Sequence, residues 1–103
     1  MRVFWTDRAR RHLRAIHDYI ANDSPRYATR TIDRITRKTE MLAKFPLSGH
    51  LVPEYEGETT SAPEVRQILE GNYRIIYRAH PDRVEVLTVI HGAREMPPLD
   101  SFS

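Results

Sequence analysis

The apolar residues of the first half recur at helical spacing, whereas those of the second half come in short extended runs. Val3-Phe4-Trp5 is a short apolar run and predicts a strand. Thr6 or Asp7 then offers a helix N-cap. Ala9, Leu13, Ile16 and Ile20 form one apolar stripe with arginines on the other faces, which predicts a helix over Asp7–Ala21. Asn22-Asp23-Ser24-Pro25 breaks it, with Ser24 as the next cap and Pro25 suited to a first helical position. Ala28, Ile32, Ile35, Thr39 and Leu42 make the stripe of a second helix, which Phe45-Pro46 ends. Residues 46–63 hold three prolines, two glycines and the acidic trio Glu54, Glu56 and Glu58, with no lysine or arginine. They read as one long loop, of the kind that is often functional or mobile.

Beyond the loop the chain reads as strands. Residues 64–69 are followed by the turn signal Glu70-Gly71-Asn72, which permits two registers. Tyr73–Arg78 and Val84–Ile90 are aromatic and β-branched, hence strands, joined by a tight turn at His80-Pro81-Asp82-Arg83. A two-residue Pro81-Asp82 loop would set Tyr77 opposite Val86, Ile75 opposite Thr88 and Tyr73 opposite Ile90 on one apolar face. Arg74, Ile76, Arg78, Glu85, Leu87, Val89 and His91 would share the other face, with Arg78 and Glu85 as a cross-strand ion pair. Met96-Pro97-Pro98-Leu99 ends regular structure, and a loosely held tail is expected. The order is β-α-α-β-β-β, a helical hairpin packed on a mostly antiparallel sheet, an α+β design.

Composition narrows the function. A chain of 103 residues is long enough for one core, so residues 1–103 are expected to be a single domain. It has no cysteine, which excludes disulfides, thiolate metal sites and a cysteine nucleophile. The missing cysteines make a cytoplasmic location the expectation; no apolar run approaches a membrane span, and charge follows the first apolar residues too soon for a signal peptide. The net charge of +2 hides a polarity. Residues 1–44 carry +6 and residues 45–103 carry −4, and arginine outnumbers lysine 14 to 2. Such asymmetry suggests a charged partner for the helices, although arginine also simply solvates helix faces.

Little here suggests chemistry. The histidines His12, His17, His50, His80 and His91 show no metal-ligand spacing, and no cofactor or metal is expected. Four scattered glycines make no phosphate loop, and Ser24, Ser48 and Ser61 lie where caps and loops want serine. Arg74, Arg78, His91 and Arg94 could give a cationic sheet face for a nucleic acid, with His91 the one base of suitable pKa. The acidic second half opposes non-specific phosphate binding.

The segment Val65-Arg66-Gln67-Ile68-Leu69-Glu70-Gly71-Asn72-Tyr73-Arg74-Ile75-Ile76-Tyr77, with Val89-Ile90-His91-Gly92-Ala93-Arg94, resembles the ParE toxins of the RelE/ParE superfamily. Thr6-Asp7-x-Ala9 with Leu13, Ile16 and Asp18-Tyr19-Ile20 is similar to that family's first helix, and Phe45-Pro46-x-x-Gly49 with Val52-Pro53-Glu54 to its loop after the hairpin. His50 departs from the family, which often has arginine there. The resemblance covers nearly the whole chain. It implies the toxin of a type II toxin–antitoxin pair, with ParE-like members inhibiting DNA gyrase and RelE-like members cleaving mRNA on the ribosome.

The resemblance also separates those branches. The nuclease branch shares arginines matched here by Arg74 and Arg94, but its strand lysines fall at Val65 and Gln67. Its late tyrosine falls near Asp100, and no tyrosine follows Tyr77. The expectation is therefore a non-enzymatic gyrase inhibitor, with the ribosome-dependent endonuclease as the alternative. Arg74, His91 and Arg94 are the candidates for target binding. A ParD-like antitoxin is the implied partner, touching operator DNA on the toxin's behalf, and its candidate contacts are Trp5, Arg10, Arg14, Tyr19, Arg30 and Arg34.

Overall fold

A computed structural model describes residues 1–58 and 62–102; Ser61 lies outside them. Strand β1 (Arg2–Trp5) leads into helix α1 (Asp7–Ala21) and helix α2 (Pro25–Glu40), which a 3₁₀ turn at Met41–Ala43 extends. Strands β2 (His50–Leu51), β3 (Val65–Glu70), β4 (Tyr73–Ala79) and β5 (Arg83–His91) follow. They form one sheet in the order β1-β5-β4-β3-β2, in which only β1 and β5 run parallel. The expected α+β hairpin-on-sheet architecture is present, with one two-residue strand more than the sequence pattern gave.

The helix starts follow from local chemistry. Thr6 accepts the Ala9 amide and Ser24 accepts the Tyr27 amide, each satisfying an otherwise orphaned donor of a first turn. Thr6 does more than cap. Its amide donates to the Val86 carbonyl and its hydroxyl to the Leu87 carbonyl, so the start of α1 is fastened to β5. Ala9, fully buried, lets α1 approach the sheet closely and packs with Ile35, Ile75, Val86 and Val89. Trp5, Leu13 and Ile16 complete that cluster.

The β4–β5 register agrees with expectation only near its loop. Tyr77 pairs with Val86, Arg78 with Glu85 and Ala79 with Val84. Past Tyr77 a bulge slips the ladder by one residue, so Ile76 meets Thr88, Ile75 meets Val89 and Tyr73 meets His91. The expected pairs Ile75–Thr88 and Tyr73–Ile90 are therefore wrong. A one-residue slip exchanges faces. Val89 joins the cluster under the helices, and Ile90 joins Ile76, Leu87, Val65 and Leu99 on the opposite face. His91 stands edge-on to the Tyr73 ring at 5.4 Å and no longer shares a face with Arg74. The β3–β4 register is settled by a two-residue turn, Gly71-Asn72, in which Gly71 adopts φ +57°.

Arg78 faces Glu85 but does not pair with it. Its guanidinium is buried and donates to the carbonyls of Pro63 and Phe102, both at 3.0 Å. Glu85 instead meets His80 Nε2 at 2.9 Å. A buried cation needs its donors satisfied, and carbonyls of the loop before β3 and of the C-terminal turn supply that. The tail is accordingly not loose. Leu99–Phe102 forms a 3₁₀ turn with Leu99 buried, Tyr55 donates its hydroxyl to the Pro97 carbonyl, and Arg8 holds the Ser101 carbonyl at 3.0 Å.

The loop after the hairpin is pinned at Gly49. Its amide donates to the Tyr77 hydroxyl at 2.9 Å, and that hydroxyl donates to the Pro46 carbonyl at 2.8 Å. A Cβ on Gly49 would stand 2.5 Å from the Tyr77 hydroxyl and 2.6 Å from the Gln67 carbonyl. The Phe45-Pro46-x-x-Gly49 motif is thus the footprint of a buried tyrosine. Gly49→Ala should cost about 1–3 kcal/mol by overpacking. Tyr77→Phe should cost about 1–3 kcal/mol by orphaning a buried amide. Denaturant midpoints of the two variants check both, and wild-type midpoints would contradict them.

Candidate functional site

Arg74, His91 and Arg94 gather at one end of the sheet, where β4 begins and β5 ends. The structure separates them by face and by partner. Arg74 points away from the helices and is held on three sides. Its two terminal nitrogens donate to the Glu54 carboxylate at 2.7 and 2.8 Å, and its Nε donates to Gln67 Oε1 at 2.7 Å. Only 12% of the Arg74 side chain is exposed. This bidentate bond holds Glu54 at a pKa of about 2, well below its ordinary 4.5. It raises that of Arg74 in turn. A planar guanidinium matches a carboxylate fork in this way, and lysine would not.

His91 lies on the helix side against Tyr73, and its Nδ1 accepts the Ala93 amide at 3.0 Å, which shapes the turn out of β5. Arg94 follows in that turn and is exposed. The three candidates are therefore neighbours in sequence position along the sheet end, but they do not converge on one ligand. Glu54 and Gln67 were missed. Gln67 follows from the β3–β4 register, which puts Leu69 opposite Arg74 and Gln67 beside it on the same face. Glu54 comes from a loop 20 residues away, and no periodicity points to it.

The helical hairpin carries a shallow groove of about 500 Å³ between α1 and α2. Leu13 and Ile32 floor it, and Arg10, Arg14, His17 and Asp18 line its sides. Arg10 is engaged by Asp7, and Arg14 lies 4.0 Å from Asp18, both pairs well exposed. Exposed ion pairs of this kind are weak and are screened by salt, so both arginines can change partners. Arg30 and Arg34 are exposed on α2 but do not line the groove. Tyr19 is 79% exposed near its end, and Trp5 is half-buried in the core rather than presented to a partner. Burial raises the Tyr73 pKa, and the phenols of Tyr27 and Tyr19 add to that effect. Among the described residues no three His, Asp or Glu side chains gather as metal ligands, and no helix is long and apolar enough to cross a membrane.

The Glu54–Arg74 bond makes stability depend on acid. A carboxyl whose pKa is depressed in the fold contributes stability that is complete above its ordinary value of 4.5 and disappears as pH falls toward about 2. Urea unfolding between about pH 6 and about pH 2.5 should therefore show a steeper acid loss for the wild type than for Glu54→Gln. Superimposable pH profiles would contradict the bond's contribution.

Residues 3–96 match the family of the ParE toxin of type II toxin-antitoxin system, parDE. The chain is 33% identical over 92 residues to Toxin RelE2 of Caulobacter vibrioides, covering 89% of this chain and 96% of that one. Its fold is similar to that of a chromosomal ParDE system from P. aeruginosa, with a TM-score of 0.68, 21% identity, and 88% and 95% of the two chains covered. It is also similar to a toxin-antitoxin complex, RelBE2, from Mycobacterium tuberculosis, with a TM-score of 0.59, 23% identity, and 87% and 95% covered. The hairpin, the parallel β1–β5 pair, the Gly49 loop and the sequence match together place this chain in the ParE toxin family of type II toxin–antitoxin systems, within the RelE/ParE superfamily.

Proposed function

We propose that the protein acts as a toxin by binding another protein, that DNA gyrase is its target, and that a ParD-like antitoxin silences it. The observation that carries this reading is the commitment of Arg74 to Glu54 and Gln67. Cleavage of RNA at this sheet end needs an uncommitted cation for the developing charge and a base aimed at the same phosphate. Arg74 is neutralised by a carboxylate, and His91 lies on the other face against Tyr73. No tyrosine follows Tyr77 to replace them. On this reading Arg74 braces the 3₁₀ turn at Pro53–Tyr55, while His91, Arg94 and the strapped tail meet the target.

The antitoxin is proposed to lay an amphipathic helix into the α1–α2 groove, its apolar side on Leu13 and Ile32. Acidic residues of that segment would draw Arg10 and Arg14 away from their weak intrahelical partners. Arg30 and Arg34 extend the positive field that steers the approach, and Tyr19 supplies an exposed aromatic anchor. Trp5 supports the groove from within the core. Operator DNA is reached only through the antitoxin.

Two measurements test the reading. Purified gyrase should lose supercoiling activity when the protein is added and regain it with antitoxin. Unchanged supercoiling together with cleaved ribosome-bound mRNA would overturn the proposal in favour of the RelE-like endonuclease. For the antitoxin, alanine at Arg10, Arg14, Arg30 and Arg34 together should lower the association rate at low salt by about tenfold and flatten its salt dependence. An unaltered rate and salt slope would remove the hairpin arginines from the interface.

A further inference from the structure

Strand β2 lies at one edge of the sheet, with an apolar projection before it in the chain and a cavity after it. The projection is residues 44–47. Phe45 is 60% exposed and Leu47 is 64% exposed, yet the backbone that carries them is fixed. The Phe45 amide donates to the Met41 carbonyl, and the Phe45 carbonyl accepts the Ser48 amide. The Tyr77 hydroxyl holds the Pro46 carbonyl and the Gly49 amide on either side of Leu47. Two large apolar side chains are therefore presented rigidly to solvent. Lys44 adjoins them, is exposed, and makes no ion pair among the described residues.

The cavity has a volume of about 390 Å³, and Val52, Tyr55 and Leu99 give it apolar walls. Glu56, Glu58 and Glu64 line it as well, are exposed, and form no ion pair among the described residues. Its shape is fixed too. Tyr55 donates its hydroxyl to the Pro97 carbonyl, and the preceding residue, Glu54, is held by Arg74. Leu51 is 51% exposed and lines the same cavity, only four residues after Leu47. Four residues of chain span at most about 14 Å, so projection and cavity are neighbours.

Charge selects what covers this surface. A basic segment of another protein would suit the glutamates but meet Lys44. An acidic segment would suit Lys44 but meet the glutamates. A second copy related by a twofold axis satisfies both, because each copy then offers its projection to the other's cavity. We propose that the protein self-associates as an isologous dimer in which Phe45 and Leu47 of each copy enter the cavity of the other, with Lys44 against Glu56 and Glu58. Projection and cavity already hold their shape in the single chain, which limits the ordering cost of association. The contact uses no residue assigned above to antitoxin or target, so it stands apart from both assignments.

Sedimentation equilibrium of the full chain tests this directly. Between about 1 and about 300 μM the mass should rise from one chain toward two. Phe45→Ser should weaken the dimer about tenfold or more, as should Lys44→Glu and the double variant Glu56→Lys, Glu58→Lys. All these positions are exposed, and urea midpoints near that of the wild type would show that the variants fold. The decisive sample is an equimolar mixture of the Lys44→Glu protein with the Glu56→Lys, Glu58→Lys protein. Each fails alone, but a twofold dimer of one with the other brings opposite charges together at both contacts. The mixture should therefore dimerise again, within about threefold of the wild type. A monomer over the whole concentration range would overturn the proposal, as would self-association untouched by Phe45→Ser. A mixture that stays monomeric while the wild type dimerises would overturn it too. Mass that grows past two copies would also do so, since it would mean a head-to-tail contact that does not close.

Discussion

The single extra residue that β5 carries beside Tyr77 governs much of this molecule. β5 is the one strand that must satisfy β1 in parallel, β4 antiparallel, the helices on one face and the C-terminal turn on the other. A strictly alternating strand would present the same set of positions to each layer along its whole length. The bulge changes that set partway along. Val86 and Val89 both reach the helices, and Leu87 and Ile90 both reach the tail and the Val52–Val65 cluster. It falls where β1 gives out and Thr6 takes the Leu87 carbonyl, so the sheet bends as the helices begin.

The same slip decides what the charged residues at the sheet end can do. It turns His91 onto the Tyr73 ring and away from Arg74. Arg74 is then left to Glu54 and Gln67. Across the second half the arginines act largely as braces. Arg66 holds the Gly49 carbonyl, Arg78 the Pro63 and Phe102 carbonyls, and Arg74 the 3₁₀ turn after β2. Each ties a loop or the tail to a central strand with charge-assisted bonds. The cations that face outward without a carboxylate are concentrated on the helices and at Arg94. The +6 of the first half is therefore largely presented, whereas much of the positive charge of the second half is consumed internally.

The helical hairpin was fully legible. The stripes of α1 and α2, the caps Thr6 and Ser24, and Pro25 are all short-range signals, and the observed limits agree with them. Gly49 was visible as part of a motif, but its reason was not, since the hydroxyl it approaches belongs to Tyr77. The loop over residues 46–63 looked featureless because two-residue β2 and the turn at Pro53–Tyr55 are too short to carry a period. The tail looked loose because its anchors, Arg8, Tyr55 and Arg78, are far away in sequence. The Arg78–Glu85 ion pair failed although its register was right: a fully buried guanidinium was claimed by carbonyls that strand pairing alone does not reveal.

The sequence by itself determined the order of the long elements, the helix ends, the layer arrangement and the toxin family, because each rests on local spacing or on motifs in order. Only the tertiary structure decided which residues of β5 face which layer, that Arg74 is spoken for, and that His12 on α1 meets the buried hydroxyl of Thr88. A continuous apolar run such as Val86-Leu87-Thr88-Val89-Ile90 gives no alternation from which to place a bulge. A side chain's charge is written in the sequence, but whether it is free depends on the partner that folding brings to it.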